Sequence, residues 1–291
     1  MTIQIDDNQN IRIISLNRPE KLNAINLEMA TEMNKAIQDT ANDSSIKCLV
    51  ITGKGRAFSS GGDVDEMGEY LPKAGDLFYK LTEQIHNSFA TLLTMPKPVL
   101  NSLNGIIAGG ALGIALAGDY RIANKSTKLL SAHFKRGFVP AGGATYILPR
   151  LIGLARTQTL FFGGKTLNSS EMLDWGLVHE VVEDQYLNER TIQMAQELAN
   201  GPTNAIAETK KLLIDSDTLS LNEELERERE KNRDSGNSGD AVEGIKVAKQ
   251  LKISAVPMMI VDGTYIIESK RSFEEMLNVV EHVIEIQKSN S

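Results

Sequence analysis

The fold of this chain is decided by the stretch Asn104-Gly-Ile-Ile-Ala-Gly-Gly-Ala-Leu-Gly-Ile-Ala-Leu-Ala-Gly-Asp119, which is apolar, rich in glycine and uncharged up to its last residue. The close spacing of Gly109, Gly110 and Gly113 predicts a tight turn that leads into a buried helix beginning near Ala111. N–H groups at such a helix start can bind a ligand, and the helix dipole favours negative charge there. The stretch therefore predicts an oxyanion hole, although taken alone the same glycines also fit a helix that only packs closely.

Another glycine-rich turn, which comes earlier in the chain and is called the first turn below, strengthens the functional interpretation. The segment Ala57-Phe-Ser-Ser-Gly-Gly-Asp63 follows Ile46-Lys-Cys-Leu-Val-Ile-Thr52, an apolar run that is typical of a buried strand. Because each turn exposes backbone N–H groups, two turns can supply two hydrogen-bond donors to one oxyanion.

The flanking segments alternate between strand and helix patterns. Residues 11–16 alternate as a half-buried strand does, residues 27–41 carry apolar side chains at helical spacing, and residues 46–52 follow as a strand. Residues 65–95 predict two helices with a break between them, and residues 146–182 are predicted to be helical up to a final strand. This β-α-β order predicts an α/β layered fold.

Composition excludes several classes of protein. The 291 residues, 41% hydrophobic and 24% charged, predict one large globular domain or two smaller ones. The single cysteine, Cys48, excludes an intrachain disulfide framework and a cysteine-cluster metal site, and its apolar neighbours predict a buried thiol. The net charge of -7 argues against a nucleic-acid partner. With no signal-peptide pattern and no apolar run long enough to span a bilayer, we expect a cytoplasmic protein without a membrane partner.

Six short motifs occur in the order typical of the crotonase (enoyl-CoA hydratase/isomerase) superfamily, which the chain resembles over roughly residues 1–247. They begin at Ile14, Phe58, Lys97, Asn104, Gly109 and Val139. The resemblance implies a spiral of ββα turns with C-terminal helices, packed as a homotrimer or hexamer. It also implies an acyl-CoA or acyl carrier protein thioester as substrate. No separate cofactor and no metal are then expected, because CoA or phosphopantetheine is part of the substrate.

The resemblance and the composition together predict three regions. Residues 1–190 form the spiral core, residues 191–247 a helical oligomerisation region, and residues 248–291 an atypical tail. The tail resembles the end of a DsbA-type thioredoxin fold, in which Pro257 would stand beside a Cys-x-x-Cys motif. Since the chain has no such motif, we expect the tail to pack or associate without redox activity.

By motif position, the resemblance implies that the N–H groups of Ser60 and Gly110 form the oxyanion hole. It implies contacts with CoA from residues of the first turn and from a rim preceding it: Ser60, Gly61, Gly62, Asp63, Lys21 and Ala24. Three basic residues either bind phosphate groups or form a solvated face: Lys128, Lys135 and Arg136.

The positions that carry acids in relatives carry none here. A hydratase of this family has glutamates at the positions of Gly113 and His133, and isomerases often have an acid where this chain has Ala141. Hydration needs both a base and an acid, so we expect decarboxylation or isomerisation through an enolate instead. Residues 134–140 also resemble the decarboxylating crotonases of polyketide cassettes, whose acyl group is tethered to a carrier protein.

Other interpretations stay open. His133 is either a general acid or base or a structural histidine, and His86 is either structural or substrate-facing. Ordinary hydration would require an acid from another loop, such as Asp65 or Glu66. A protein that binds acyl-CoA without turnover is the alternative outside enzymes.

Overall fold

The strands form two sheets and a hairpin in the computed structural model, which describes residues 1–250, 258–261 and 265–268. In chain order they are β1 (Ile3–Asn8), β2 (Ile11–Leu16), β3 (Cys48–Gly53), β4 (Ala57–Ser59), β5 (Val99–Leu103), β6 (Ile106–Ala108), β7 (Tyr120–Asn124), β8 (Lys128–Leu130), β9 (Thr166–Asn168), β10 (Glu180–Val182), β11 (Met258–Val261) and β12 (Tyr265–Glu268).

The helices connect these strands and cover the sheets. They are α1 (Leu27–Asn42), α2 (Val64–Glu69), α3 (Ala74–Thr94), α4 (Leu112–Leu116), α5 (Ala144–Phe161), α6 (Ser169–Asp174), α7 (Leu187–Asn200), α8 (Thr203–Asp215), α9 (Leu221–Gly236) and α10 (Gly239–Gln250). None of the helices in the described part of the chain has the length and apolar character needed to cross a bilayer.

The larger sheet has the strand order β1-β2-β3-β5-β7-β10, in which β1 pairs antiparallel with β2 and the remaining neighbours are parallel. The smaller sheet has the order β4-β6-β8-β9. Strands β3, β5 and β7 lie in the larger sheet, and the strand that follows each of them, β4, β6 or β8, lies in the smaller sheet. One or two helices separate each such pair from the next strand. This is the predicted ββα spiral, and the crotonase fold is confirmed.

Alternate residues of β3 enter two different apolar clusters. Leu49 and Ile51 belong to the core beneath α1 and α3, whereas Cys48 and Val50 pack with residues of α7. The side chains of a strand alternate between the faces of its sheet, so both faces of the larger sheet are covered. Burial raises the pKa of the Cys48 thiol to about 12, as expected of an inert core cysteine.

The first compact unit extends from Met1 to Arg229, and a second begins at Glu230. The predicted boundary at residue 190 does not separate units, because α7 packs through Leu187, Met194 and Ala195 against strands of the larger sheet.

Two helix predictions had different outcomes. Asn26 caps α1 by accepting a hydrogen bond from the Met29 N–H at 3.0 Å, and the helix predicted over residues 27–41 is confirmed. Residues 146–182 are not one helix, because α5 ends at Phe161 and β9 pairs antiparallel with β8 before α6 begins. Strand β9 is only three residues long and has only Leu167 buried, so its sequence is too short to show the alternation that indicates a strand.

The tail is described only in part. Strands β11 and β12 pair antiparallel. Pro257, the Asp262-Gly263 turn and the helix expected from Ser272 to Gln287 lie outside the described residues, so the thioredoxin-like interpretation stays a prediction.

Candidate active site

The two glycine-rich turns lie side by side because each one follows a strand of the smaller sheet. Strands β4 and β6 are parallel neighbours, so the turns that follow Ser59 and Ala108 leave the same edge of that sheet. A Cβ atom at Gly61 would lie 2.7 Å from the Ala108 carbonyl oxygen and 3.2 Å from the Gly110 nitrogen. Only a glycine allows the backbones to approach this closely.

The free donors of the first turn differ from the prediction. The Ser60 N–H donates to the Leu22 carbonyl at 2.9 Å, and the Gly61 N–H donates to Ser59 Oγ at 3.1 Å. Ser60 is therefore not available as an oxyanion donor in this geometry, and the prediction that named it is wrong. Within the described residues, the N–H groups of Gly62 and Gly110 have no protein acceptor, and both residues line the cavity.

Sequence reasoning missed Gly62 because the choice of free N–H depends on a distant partner. Leu22 has a positive φ of 53° at the end of a short helical turn, and this conformation aims its carbonyl at Ser60. No local pattern in residues 57–63 reports that contact.

Gly113 stands against the loop that precedes α5. A Cβ atom there would lie 1.5 Å from the Gly142 carbonyl oxygen and 3.2 Å from the Ala144 nitrogen. Gly142 and Gly143 have φ values of 70° and 83°, a left-handed conformation that glycine adopts without strain. The Gly142 carbonyl thus occupies the space that any side chain at position 113 would need.

His133 lies in the wall of the cavity and is 94% buried, since only 6% of its surface is exposed. Ser131 Oγ is 3.3 Å from its Nδ1, while its Nε2 is buried without a hydrogen-bond partner. Burial, and then the charge of Arg136, lower the pKa of His133. The imidazole is therefore neutral near pH 7, and its Nε2 is buried at the cavity wall without a protein partner.

The cavity between the two turns, α3 and the loop at Pro140 has a volume of about 1190 Å³. Of the predicted binding residues, Lys21, Ala24, Ser60, Gly62 and Asp63 line it, whereas Gly61 packs behind the turn. Arg136 also lines it; Lys128 does not, and the Lys135 side chain lies outside the described part of the chain.

The carboxylates that line this cavity are Glu20, Asp63 and Asp65. Burial opposes ionisation of Asp63, but the Arg18 guanidinium at 2.8 Å and the amides of α2 hold its pKa below the usual value. Asp63 is thus an anchor of the turn, not a free ligand for substrate. Asp65 pairs with Lys21 at 2.9 Å, and its side chain is 79% exposed. Glu66 accepts a hydrogen bond from the Leu27 N–H at 3.0 Å.

Helix α3 supplies an apolar wall. Leu81, Ile85 and Phe89 line the cavity at helical spacing, and the Phe78 ring meets Phe138 edge-on at 5.2 Å between centroids. His86 lies on the same wall and accepts a hydrogen bond from the Gly142 N–H at 3.2 Å. His86 therefore has a structural partner in the loop and also lines the cavity, so a contact with substrate stays a prediction.

The description of the cavity can now be compared with known proteins. The family model for enoyl-CoA hydratase/isomerase matches residues 6–252. The chain belongs to the enoyl-CoA hydratase/isomerase family. It therefore belongs to the crotonase superfamily of acyl-CoA enzymes, as its motifs indicate.

Relatives within the enoyl-CoA hydratase/isomerase family have several activities. The chain is 34% identical over 236 residues to a 1,2-epoxyphenylacetyl-CoA isomerase of Escherichia coli, an alignment that covers 81% of this chain and 90% of that one. It is 31% identical over 238 residues to a trans-2-decenoyl-[acyl-carrier-protein] isomerase of Streptococcus mutans, with the same coverage of 81% and 90%.

Solved structures of the family share the fold. The crystal structure of an enoyl-CoA hydratase from Bacillus anthracis superposes with a TM-score of 0.81 at 26% identity, covering 86% of this chain and 97% of that one. An enoyl-CoA hydratase from Polaromonas gives a TM-score of 0.81 at 27% identity, with coverage of 86% and 97%. The present chain has both glycine turns, and it has Gly113 and His133 at the positions where the resemblance predicts the glutamates of a hydratase.

Proposed function

We propose that this protein decarboxylates a carboxylated acyl thioester through an enolate held by the N–H groups of Gly62 and Gly110. The observation that carries the proposal is the packing at Gly113, where the Gly142 carbonyl fills the place of a catalytic carboxylate. The acids that line the cavity are engaged in the first turn or exposed at the rim. A reaction that needs no carboxylate base fits this site best.

Decarboxylation generates its own enolate. The bond between the carboxylate carbon and its neighbour breaks, carbon dioxide leaves, and the electron pair delocalises onto the thioester oxygen. Two backbone donors stabilise the charge on that oxygen, and one such donor typically contributes about 2.7–4 kcal/mol to the transition state. A proton must then reach the carbanion carbon, and we assign its delivery to His133, which takes a proton from solvent, gives it to the carbon from Nε2 and returns to its neutral form.

Isomerisation of an enoyl thioester is the second candidate, because two relatives above 30% identity carry isomerase names. In this reaction His133 would remove a proton from one carbon and return it to another, so its lowered pKa matters directly. The carrier-protein substrate named for the Streptococcus mutans relative also keeps a carrier-tethered acyl group open for this chain.

Mass spectrometry of the purified protein in deuterated water separates these reactions. The substrates are malonyl-type, glutaconyl-type, 3-enoyl and 2-enoyl thioesters, each offered on CoA and on an acyl carrier protein. Loss of carbon dioxide with uptake of one deuterium supports decarboxylation, whereas deuterium uptake without loss of mass supports isomerisation. Addition of water would contradict the proposal, and thioester binding without any exchange would favour the non-catalytic alternative.

A further inference from the structure

Helix α3 contacts the loop before α5 at three successive points. Phe78 meets Phe138, His86 binds Gly142, and Phe89 packs against Gly143, where a Cβ atom would lie 2.5 Å from its ring. The outer two contacts are apolar, and the one between them is a directional hydrogen bond of 3.2 Å from the Gly142 N–H to His86 Nε2. His86 thus holds one peptide group of the loop through a directional contact.

Gly142 in turn contacts Gly110 and Gly113, which both lie in the glycine-rich stretch from Asn104 to Asp119. Its carbonyl fills the space beside Gly113, and a Cβ atom on Gly142 itself would lie 2.6 Å from the Gly110 carbonyl oxygen. Packing this close leaves the two peptides little independent movement. A displacement of Gly142 would therefore be transmitted to Gly110, which lines the cavity and whose N–H has no protein acceptor among the described residues.

We propose that His86 is a positioning residue that fixes the loop at Gly142 and, through it, the Gly110 oxyanion donor. The imidazole acts as a neutral acceptor, with its lone pair on Nε2 and its proton on Nδ1. The catalytic part of this inference rests on the proposed function, while the positioning part rests on the contacts alone.

Two substitutions separate the acceptor from the bulk of the ring. His86→Phe keeps an aromatic ring on α3 and removes the acceptor, whereas His86→Gln keeps an acceptor oxygen at similar reach. We expect His86→Phe to lower kcat by about 10- to 100-fold with KM changed less than about threefold, because misalignment by about 1 Å impairs the reacting geometry more than binding. His86→Gln should recover most of that loss.

The matched control is His179→Phe. The His179 ring accepts a hydrogen bond from the Arg121 N–H at 3.1 Å through Nδ1 and does not line the cavity. We expect this variant to keep the kcat of the wild-type protein. The hydrogen bonds that the two histidines accept predict opposite tautomers, with the proton on Nδ1 in His86 and on Nε2 in His179.

Two measurements on the full chain test the contact between His86 and Gly142 without turnover. Nitrogen-15 shifts of labelled histidine give the tautomers, and hydrogen exchange resolved by mass spectrometry gives the protection of the Gly142 amide. We expect the Nδ1–H tautomer for His86 and an exchange rate at Gly142 at least about tenfold higher in His86→Phe than in His86→Gln. An Nε2–H tautomer for His86, or equal exchange in both variants, would overturn the positioning role. Absence of turnover with every thioester would overturn the proposed function while leaving this readout intact.

Discussion

His133 and Asp119 are the two residues whose environments explain most about this molecule. The sequence leaves the role of His133 open between catalysis and structure. His133 has a free nitrogen in the cavity wall. Asp119 accepts a hydrogen bond from the Val99 N–H at 2.7 Å and pairs with Lys210 at 2.8 Å, so its role is structural.

Replacing His133 with glutamine tests its role in proton transfer. We expect kcat to fall by about 10²-fold or more, because a positioned acid or base typically contributes 10²–10⁴-fold. The measurement is the rate of turnover and of deuterium uptake with the substrate found by mass spectrometry. His179→Gln, outside the cavity, serves as control and should keep the wild-type rate. Equal rates in wild type and His133→Gln would assign His133 to structure.

The pH dependence of the same rate distinguishes decarboxylation from isomerisation. Because burial lowers the pKa of His133, a reaction that uses it as a base loses kcat/KM only as pH falls through that lowered pKa, below the ordinary histidine value of about 6.5. Decarboxylation needs no base for bond cleavage, so we expect no such decline in this range. A decline that is absent from His133→Gln would support isomerisation.

Asp119→Ala should destabilise the fold. Lys210 would keep only the carbonyls of Leu92 at 3.0 Å and Lys97 at 3.2 Å, and its buried ammonium would lose its counter-ion. Breaking a buried pair costs about 3–5 kcal/mol, and the 27% exposure of the Asp119 side chain reduces this to about 2–3 kcal/mol. Urea denaturation measures the difference.

The exposed pair of Lys35 and Asp39 gives the control, since their side chains are 76% and 57% exposed. We expect Asp39→Ala to change the free energy of unfolding by less than about 0.5 kcal/mol. Equal effects of the two substitutions would show that the Asp119–Lys210 pair is not a structural anchor.

At the scale of the elements, the arrangement of the glycine turns follows from the parallel pairing of β4 with β6. That pairing brings both turns to one edge, and the loop before α5 then closes against α4. The sequence predicts the two turns and the helix start. It does not predict that the loop carbonyl fills the space at Gly113.

Gly113→Glu should therefore fail to restore hydration. The new Cβ would meet the Gly142 oxygen at 1.5 Å, so the loop must move, and we expect a loss of stability of about 1–3 kcal/mol as for other overpacked sites. Gly68→Ala in α2, where a Cβ meets nothing within 4 Å, is the matched control and should be neutral or slightly stabilising. Thermal denaturation and an assay with 2-enoyl-CoA measure both effects, and efficient water addition by Gly113→Glu would contradict this explanation.

At the scale of the whole molecule, His133 links stability to pH. The folded chain holds the imidazole at a pKa below that of the unfolded chain, so the unfolded state takes up a proton first as pH falls. This contribution to stability is complete above about pH 6.5 and is lost as pH falls through the folded value. We expect denaturation midpoints of wild type to fall more steeply below pH 6.5 than those of His133→Gln; parallel curves would contradict the burial argument.

A non-reactive acyl-CoA thioether should stabilise the whole first unit. A ligand at 100 times its Kd adds about 2.7 kcal/mol to the free energy of unfolding when it binds only the folded state. A rise in the denaturation midpoint with ligand, and none with adenosine diphosphate alone, would show that the acyl arm is recognised. The homotrimer or hexamer and the cytoplasmic location stay predictions.

The sequence by itself determined the family, the ββα spiral, the two glycine turns and the absence of acids at positions 113, 133 and 141. The glycine turns are local, because glycine spacing reports the conformation of its own segment, whereas the family and the spiral followed from the resemblance of six ordered motifs. Only the tertiary structure decided that Gly62 has the free N–H in place of Ser60, that the Gly142 carbonyl fills the space at Gly113, and that His86 faces the loop. Each of these depends on backbone groups from separate segments meeting across the cavity, and no pattern within one segment encodes such a meeting.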